Sequence, residues 1–488
     1  MSRILVLGAA PLPFEPRERQ YAPNLRTWHF TKPLVGDGHE IRLVAGRVPN
    51  TYPDDVDDVI VQSDRGFEYV SVVGSLFQNA AYIQQHCQEF QPDAILGVNT
   101  HPSSRAVSID TDKPIWCDLN GWVMAEAQAK CRVYGDDRYL SHFWKMEREI
   151  LDRADVISTV SDAQAFATVG ELATRGRLAK ENFGYNFVHT IPNALSEVEF
   201  RHDSRVFRGG LVPEGAFVVL WAGGYNTWTD VDLLFEALTA AMEAIPDLHY
   251  VSTGGVIEGH DELTFNRFLE RIRSSEFGDR FHFAGWVPTA DVPSYYFESD
   301  LGINVDSDNY ETVFGARNRL NEWLKVGLPV LTTSGTEISK ILADNHLGLT
   351  CPSGDTAAFG ERLIWAARNR EDLKKMAEKA QAFALEQFSY GRTTEPLREW
   401  ARSPMRAPDK AVRVEFQDID FYSQQPEKAD LEHRLMHAQE QLGELEAQRN
   451  EARHQLGVIH QSKMWRLWIG TIAVRRWLLR PLEFFRIR

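Results

Sequence analysis

The sequence predicts an α/β protein with two doubly wound, parallel-sheet domains, followed by a long helix and a basic tail. Three observations carry this. Short apolar runs such as "RILVLG", "DAILGVN" and "FVVLWAGG" recur along the chain, and continuous runs of that length are strands buried on both faces of a parallel sheet. Helix-length segments separate them, as βαβ units require. The runs also fall into two sets, with the polar, glycine-bearing stretch "LSEVEFRHDSRVFRGGLVPEGA" between them as a domain linker.

The first domain, residues 1–195, takes its strands from "RILVLG", "EIRLVAG", "DAILGVN", "PIWCDLNG", "DVISTVS" and "VHTIPNA". The opening "MSRILVLGAAPLPF" reads as a buried first strand and not as a signal peptide. Its apolar stretch is short, holds Pro11 and Pro13, and leads into a patterned helix in place of a cleavage site. The second domain, 205–404, takes its strands from "FVVLWAGG", "HYVSTGG", "FHFAGW", "LGINVD" and "LPVLTT". In such domains ligands bind at the carboxyl ends of the strands, facing the cleft.

Residues 405–426 read as an irregular linker. In 427–462, Leu431, Leu435, Ala438, Leu442, Leu445, Ala452, Leu456 and Ile459 recur at spacings of four and three, with Arg449 at the remaining core position. This pattern predicts a coiled coil, most simply between copies of the chain; a helix folded back on the body is the other reading. Residues 463–488 carry seven basic residues and one acid, and Trp465, Trp468, Trp477, Phe484 and Phe485 alternate with Arg466, Arg475, Arg476 and Arg480. The longest uncharged run there, Leu467 to Val474, is too short to span a bilayer. A basic, aromatic-rich segment suits in-plane binding to an anionic membrane face; nucleic-acid binding, which nothing else in the chain supports with basic surface, and packing of the tryptophans on a partner subunit are the alternatives.

At 488 residues the chain is too long for one core. Its net charge of −16 argues against nucleic-acid binding, which needs basic surface. Cys87, Cys117, Cys131 and Cys351 lie far apart with no CxxC spacing, so neither a disulfide framework nor a cysteine metal site is expected, and a reducing cytosol fits. The expected location is cytoplasmic, at the inner face of the cell membrane.

One stretch stands out for its chemistry: "YETVFGARNRLNEWLKVGLPVLTT", Tyr310 to Thr333. After the "INVD" strand a helix is expected near Gly315. Its free N–H groups and positive dipole end would seat a diphosphate, and Gly315 would let the backbone approach it.

The phrases "PNLRTWHFTKPLVGDGHEIRLV", "DVISTVSDAQ", "TIPNA", "FAGWVP", "NRLNEWLKVGLPVLTT" and "GTEISKILADNHLGLTCPSGD", in this order, resemble retaining glycosyltransferases of the GT-B fold, glycosyltransferase family four, over roughly residues 3 to 403. "IWCDLNGWVMAEAQA", "WAGGYNTWTDVDLL" and "ETVFGARNRLNEWL" are similar to a branch found in bacterial surface-polysaccharide clusters. The resemblance implies transfer of a hexose or deoxyhexose from a nucleotide diphosphate sugar to a glycan or lipid-linked acceptor, with retention and with no metal or other cofactor.

By the same resemblance Glu322 holds the ribose hydroxyls. The usual sugar-binding glutamate stands eight positions earlier, where this chain has Phe314; Glu311 lies eleven before, so its role requires a reshaped loop. The family's arginine and lysine for the diphosphate fall on Gly224 and Thr229, and no basic residue lies between Leu220 and His249. Arg317 and Arg319 are the nearest cations. Either at least one replaces that pair, or both merely hold the loop through Glu311 or Glu322. Gly223, Gly224, Gly254 and Gly255 offer close backbone approach to the donor, and Trp228 is a wall of the site or a core residue.

On the acceptor side the candidates are Asn24, Leu25 and Arg26 at a helix start, and Asp118 and Asn120 at a strand end. Asp118 is either a base for the acceptor hydroxyl or a turn residue; His101 reads as a loop histidine. No carboxylate stands out as a nucleophile for double displacement, so same-face substitution is implied. Two rivals stay open: a catalytically silent GT-B scaffold and a nucleotide-sugar epimerase.

Overall fold

The computed structural model describes residues 1–15, 20–53, 55–63, 65–411 and 427–483. They form two units, Met1–Val412 and Arg413–Arg488, with Val412 and the start of the second unit outside the described residues.

The first unit holds two sheets. One has eight strands: β1 (Arg3–Ala10), β2 (Glu40–Arg47), β3 (Val59–Gln62), β4 (Glu68–Val72), β5 (Ala94–Gly97), β6 (Ile115–Asn120), β7 (Val156–Thr159) and β8 (Val188–Thr190). Their order is β3-β4-β2-β1-β5-β6-β7-β8, and every pairing is parallel except β3 with β4. The other sheet, wholly parallel, has β9 (Phe217–Ala222), β10 (Leu248–Thr253), β11 (Phe281–Gly285), β12 (Leu301–Asn304), β13 (Val330–Thr333) and β14 (Leu349–Cys351), in the order β11-β10-β9-β12-β13-β14.

Burial explains the composition of these strands. Every residue of β9, "FVVLWA", is buried, as a central strand covered by helices on both faces requires. Both sheets reverse direction of growth beside a central strand, between β1 and β5 and between β9 and β12. The loops that leave β1, β9 and β12 therefore open at switch points, where ligands bind in folds of this kind.

All eleven expected strands form. β3, β4 and β14 were not foreseen: β3 is a half-exposed edge strand of four residues, and β14 has three. The chain's route also differs from the expected boundaries. Leu397 and Ala401, assigned from sequence to the second domain, are fully buried in the first domain's core beside Ile4. There Ser2 Oγ donates to the Ala401 carbonyl (2.7 Å), and Arg398 makes a bidentate pair with Asp37. Within the stretch 195–216, read as the linker, the residues from 206 on are tied to the second domain. Glu298 accepts the backbone N–H groups of Val206, Phe207 and Arg208, fastening them there.

In the second unit Glu427–Gln461 is one helix and Lys463–Glu483 another. Leu435, Leu442, Leu445 and Leu456 are each more than half exposed, so the predicted apolar seam lies open to solvent. Trp465 and Trp468 meet at 5.3 Å between ring centroids. Among the described residues no helix is long and apolar enough to cross a membrane. Of the earlier expectations, most of the 405–426 linker and the tail's Phe484 and Phe485 lie outside the described residues.

Candidate active site

The site gathers where β9 and β12 end. From β12 the chain runs through Asp306 into a short helix, Tyr310–Phe314, and then a second helix, Asn318–Val326. The expected single helix starting near Gly315 is thus two. Gly315 lies at the break, and the second helix begins three residues later, with Arg317 as its N-cap.

The break is built around one arginine. Arg317 Nη1 and Nη2 donate to the two carboxylate oxygens of Glu311 (3.0 and 2.7 Å), and Nε donates to Asp306 (3.0 Å). Asp306, Glu311 and Arg317 are all buried. Gly315 makes room for them: a Cβ there would lie 2.4 Å from Glu311 Oε1 and 2.9 Å from Arg317 Nη1. Burial raises the Glu311 carboxyl above the usual range against the pull of Arg317, while its two carboxylates hold Arg317 protonated.

Arg319 is placed differently. It lies over the Trp221 ring, 4.2 Å from the centroid, and Nη2 donates to the Gly224 carbonyl (3.0 Å). Nη1 is shielded from water and has no protein partner. Burial pulls its pKa down to about 10, so an anion there would relieve a desolvated charge. One turn on, at i+3, Glu322 presents a shielded, unpartnered Oε2, and burial pushes that carboxyl up to about 7. A buried donor group and a buried acceptor on one helix face, both unsatisfied, mark a place a polar ligand can complete.

The loop after β9 faces these two. Gly223 (φ +98°) and Gly254 (φ +85°) cross so closely that a Cβ on Gly254 would lie 2.3 Å from the Gly223 carbonyl oxygen. Trp228, half-buried, stands with its ring 5.3 Å from the Arg317 guanidinium.

The acceptor-side candidates have other duties. Arg26 Nη2 and Nε donate to Asp118 Oδ1 (2.8 Å) and Oδ2 (3.1 Å), and Ser158 Oγ and the Asn99 N–H fill the remaining positions. Both residues are buried. Asp118 is therefore an anchor for the "TIPNA" loop, since Arg26 Nη1 also reaches the Pro192 carbonyl and Asn193; it is not placed as a base for an acceptor hydroxyl. Asn24 caps its own helix, accepting the Tyr21 N–H (2.7 Å) and donating to Pro11. Asn120 takes a left-handed turn (φ 57°), and its carbonyl accepts the Val160 N–H. His101 lies at the start of the helix Thr100–Val107, against Phe77.

The structure adds residues that sequence reasoning missed. Asp306 completes the arginine triad; its place at the end of "INVD", beyond a switch-point strand, was the available signal. From the first domain, the Trp122 ring packs edge-on to Phe314 (5.0 Å), and Ser161 Oγ donates to the Phe314 carbonyl (2.9 Å). Glu337 Oε2 accepts the Asp162 N–H (2.5 Å). These bonds join the domains around a cavity of about 30 Å³ lined by Asn193, Gly315, Asn321 and Glu337.

Residues 216–369 match the family model described as Glycosyl transferases group 1. EpsD of Bacillus subtilis (strain 168) is 23% identical over 260 residues, a match that covers 52% of this chain and 62% of EpsD. The chain thus spans under two thirds of the length of that curated relative. Among solved structures, sucrose-phosphate synthase from Thermosynechococcus elongatus superposes with a TM-score of 0.60 at 14% identity, over 82% of this chain and 98% of its own. Anabaena HepE in complex with UDP-glucose gives 0.57 at 15% identity, over 83% and 100%. By that match and this architecture, residues 216–369 are similar to the group 1 glycosyl transferases, and the chain has a GT-B fold.

Proposed function

We propose that the protein is a retaining glycosyltransferase that moves a hexose or deoxyhexose from a nucleotide diphosphate sugar to a glycan or lipid-linked acceptor of bacterial surface polysaccharide synthesis. The observation that carries this is the pair on one helix face: Arg319 with a shielded, unpartnered Nη1, and Glu322 with a shielded, unpartnered Oε2. Arg319 supplies the positive charge for the diphosphate, in place of the missing arginine and lysine and without a metal. Glu322 accepts from the ribose hydroxyls, which a carboxylate can do in pairs. Of the two arginines, Arg319 is the donor's cation and Arg317 is the loop's.

In this reading the acceptor hydroxyl attacks the anomeric carbon on the face the diphosphate leaves. The departing phosphate oxygen takes the acceptor's proton, and Arg319 offsets the charge that grows there. Glu311, held by Arg317, borders the sugar. HepE, a structural neighbour, binds UDP and UDP-glucose, which makes uridine diphosphate sugars the first donors to try. The open leucine seam of 427–461 pairs with a second copy, and the basic, tryptophan-bearing helix from Lys463 lies on an anionic membrane face.

The test is a thermal-shift screen of the full chain against UDP-, GDP-, TDP- and ADP-linked sugars, with and without EDTA. A binder raises Tm by mass action, and EDTA leaves that rise unchanged. A folded protein that responds to none would point to a silent scaffold. Interconversion of the donor sugar without transfer would point to an epimerase.

A further inference from the structure

On the helix Val123–Tyr134, Glu126, Lys130 and Tyr134 stand four residues apart and so share one face. All three reach across to one short turn of the second domain. Lys130 Nζ donates to the Gly259 carbonyl (3.4 Å), and Tyr134 Oη accepts the Glu262 N–H (3.0 Å). Glu126 Oε1 lies 3.6 Å from His260 Nε2.

That turn is itself firmly built. Ile257 and Asp261 exchange backbone hydrogen bonds of 2.9 Å, and Gly259 supplies the left-handed corner (φ +73°). Asp261, fully buried, accepts the N–H groups of Leu263 and Thr264 and the Thr264 hydroxyl. The turn also bears on the loop after β9 at two points. The Ile257 side chain fills the space a Cβ on Gly224 would need, within 2.3 Å, and the same Gly224 holds Arg319 through its carbonyl. The His260 ring meets Trp228 edge-on at 6.2 Å, and Trp228 in turn carries the Arg317 guanidinium.

We propose that Glu126, Lys130 and Tyr134 are positioning residues that clamp the 257–262 turn across the two domains and so hold the Gly223–Trp228 loop, with Arg319, in its donor-binding form. The proposal rests on the donor reading above. The clamp exists only while the two domains are together, so donor affinity and clamp closure are linked, and each strengthens the other.

The test uses the full chain with Tyr134→Phe, Glu126→Gln, the two combined, and His260→Gln. One readout is amide hydrogen exchange across 257–262; the other is affinity for UDP. In the Tyr134→Phe/Glu126→Gln variant, exchange in the turn speeds up about tenfold and UDP binding weakens by a similar factor, within the usual range for coupled sites. Glu126→Gln adds nothing in the His260→Gln background, because the contact is already broken. Unchanged exchange, or faster exchange with unchanged UDP affinity, overturns the proposal. If the wild-type protein binds none of UDP, GDP, TDP and ADP, the donor reading has failed, and the exchange measurement alone decides whether the clamp exists; if it binds one other than UDP, that nucleotide replaces UDP in the affinity measurement. If the double variant loses its fold, Lys130→Met, which removes the Gly259 contact and keeps Tyr134 and Glu126 in place, carries both measurements.

Discussion

Arg317 and Glu311 meet through two hydrogen bonds of 3.0 and 2.7 Å, inside the break between two helices where a diphosphate seat was expected. With Asp306 on its Nε and the Ala316 carbonyl on Nη1, each nitrogen of Arg317 donates within its own loop. Two residues on, Arg319 keeps one nitrogen unpaired. The contrast separates a cation that builds the site from one that serves it.

The two arginines therefore fail differently when removed. Arg317→Ala leaves Asp306 and Glu311 buried without a counter-charge, and breaking such a pair destabilises by about 3–5 kcal/mol, read as a large fall in Tm. Arg319→Ala leaves Tm nearly unchanged and weakens nucleotide-sugar binding by roughly 1.5–3 kcal/mol, the value of a hydrogen bond to a charged group. Calorimetric titration beside thermal denaturation checks both. Equal loss of stability in the two variants would show that both merely hold the loop.

Donor affinity rises with pH through about 7, the value to which burial lifts Glu322. Only the ionised carboxylate accepts from both ribose hydroxyls, so the donor binds better at pH 8 than at pH 6. Stability runs the other way. Because the folded pKa lies above the unfolded one, the contribution of Glu322 is complete below the unfolded value and is lost as pH rises through about 7. Glu322→Gln flattens the rise in affinity and removes its own share of the stability trend, while Glu311 and Glu171, which burial also lifts to about 7, keep theirs. A nucleotide sugar is the ligand to titrate, because a free nucleoside diphosphate has a terminal phosphate that itself titrates near neutrality.

Gly315→Ala tests the packing of the triad. Its Cβ would fall 2.4 Å from Glu311 Oε1, so the carboxylate or the backbone must move, at about 1–3 kcal/mol for an overpacked site. Chemical denaturation measures it. No change in the midpoint would mean that the loop yields freely and that the break is not tightly built.

Asp118→Ala lowers stability by about 3–5 kcal/mol, since Arg26 is left buried and unpaired. The pH dependence of the turnover that remains is unaltered, because the carboxylate is held by Arg26, Ser158 and the Asn99 N–H. An acid limb that vanishes with Asp118 would restore it as a catalytic base.

In the second unit, Leu442→Lys with Leu445→Lys reduces the assembled mass seen by light scattering. Arg475→Glu with Arg476→Glu lowers sedimentation with vesicles containing phosphatidylserine and spares binding to neutral ones. If neither variant changes its readout, the pairing and membrane readings both fall.

Much of this was legible in the residues. The succession of eleven strands along the chain, the glycines of the loop after β9 and the helix carrying Glu322 all follow from local pattern, because continuous apolar runs and turn residues restrict the backbone over a few positions. β3, β4 and β14 escaped notice because they are short and lie at or beside a sheet edge, where burial leaves a weak pattern. The sequence also singled out Glu311, Arg317, Arg319 and Glu322 as one group, while leaving their pairings open.

What the sequence by itself determined is the architecture, since it rests on short-range periodicity and spacing. Only the tertiary structure decided the partners. It joined Asp306 to Arg317, turned Asp118 toward Arg26, returned Leu397 to the first domain and brought Glu126 to His260. Which side chain meets which across 11, 92, 393 or 134 positions depends on how sheets and helices pack in space, and separation along the chain carries no record of that.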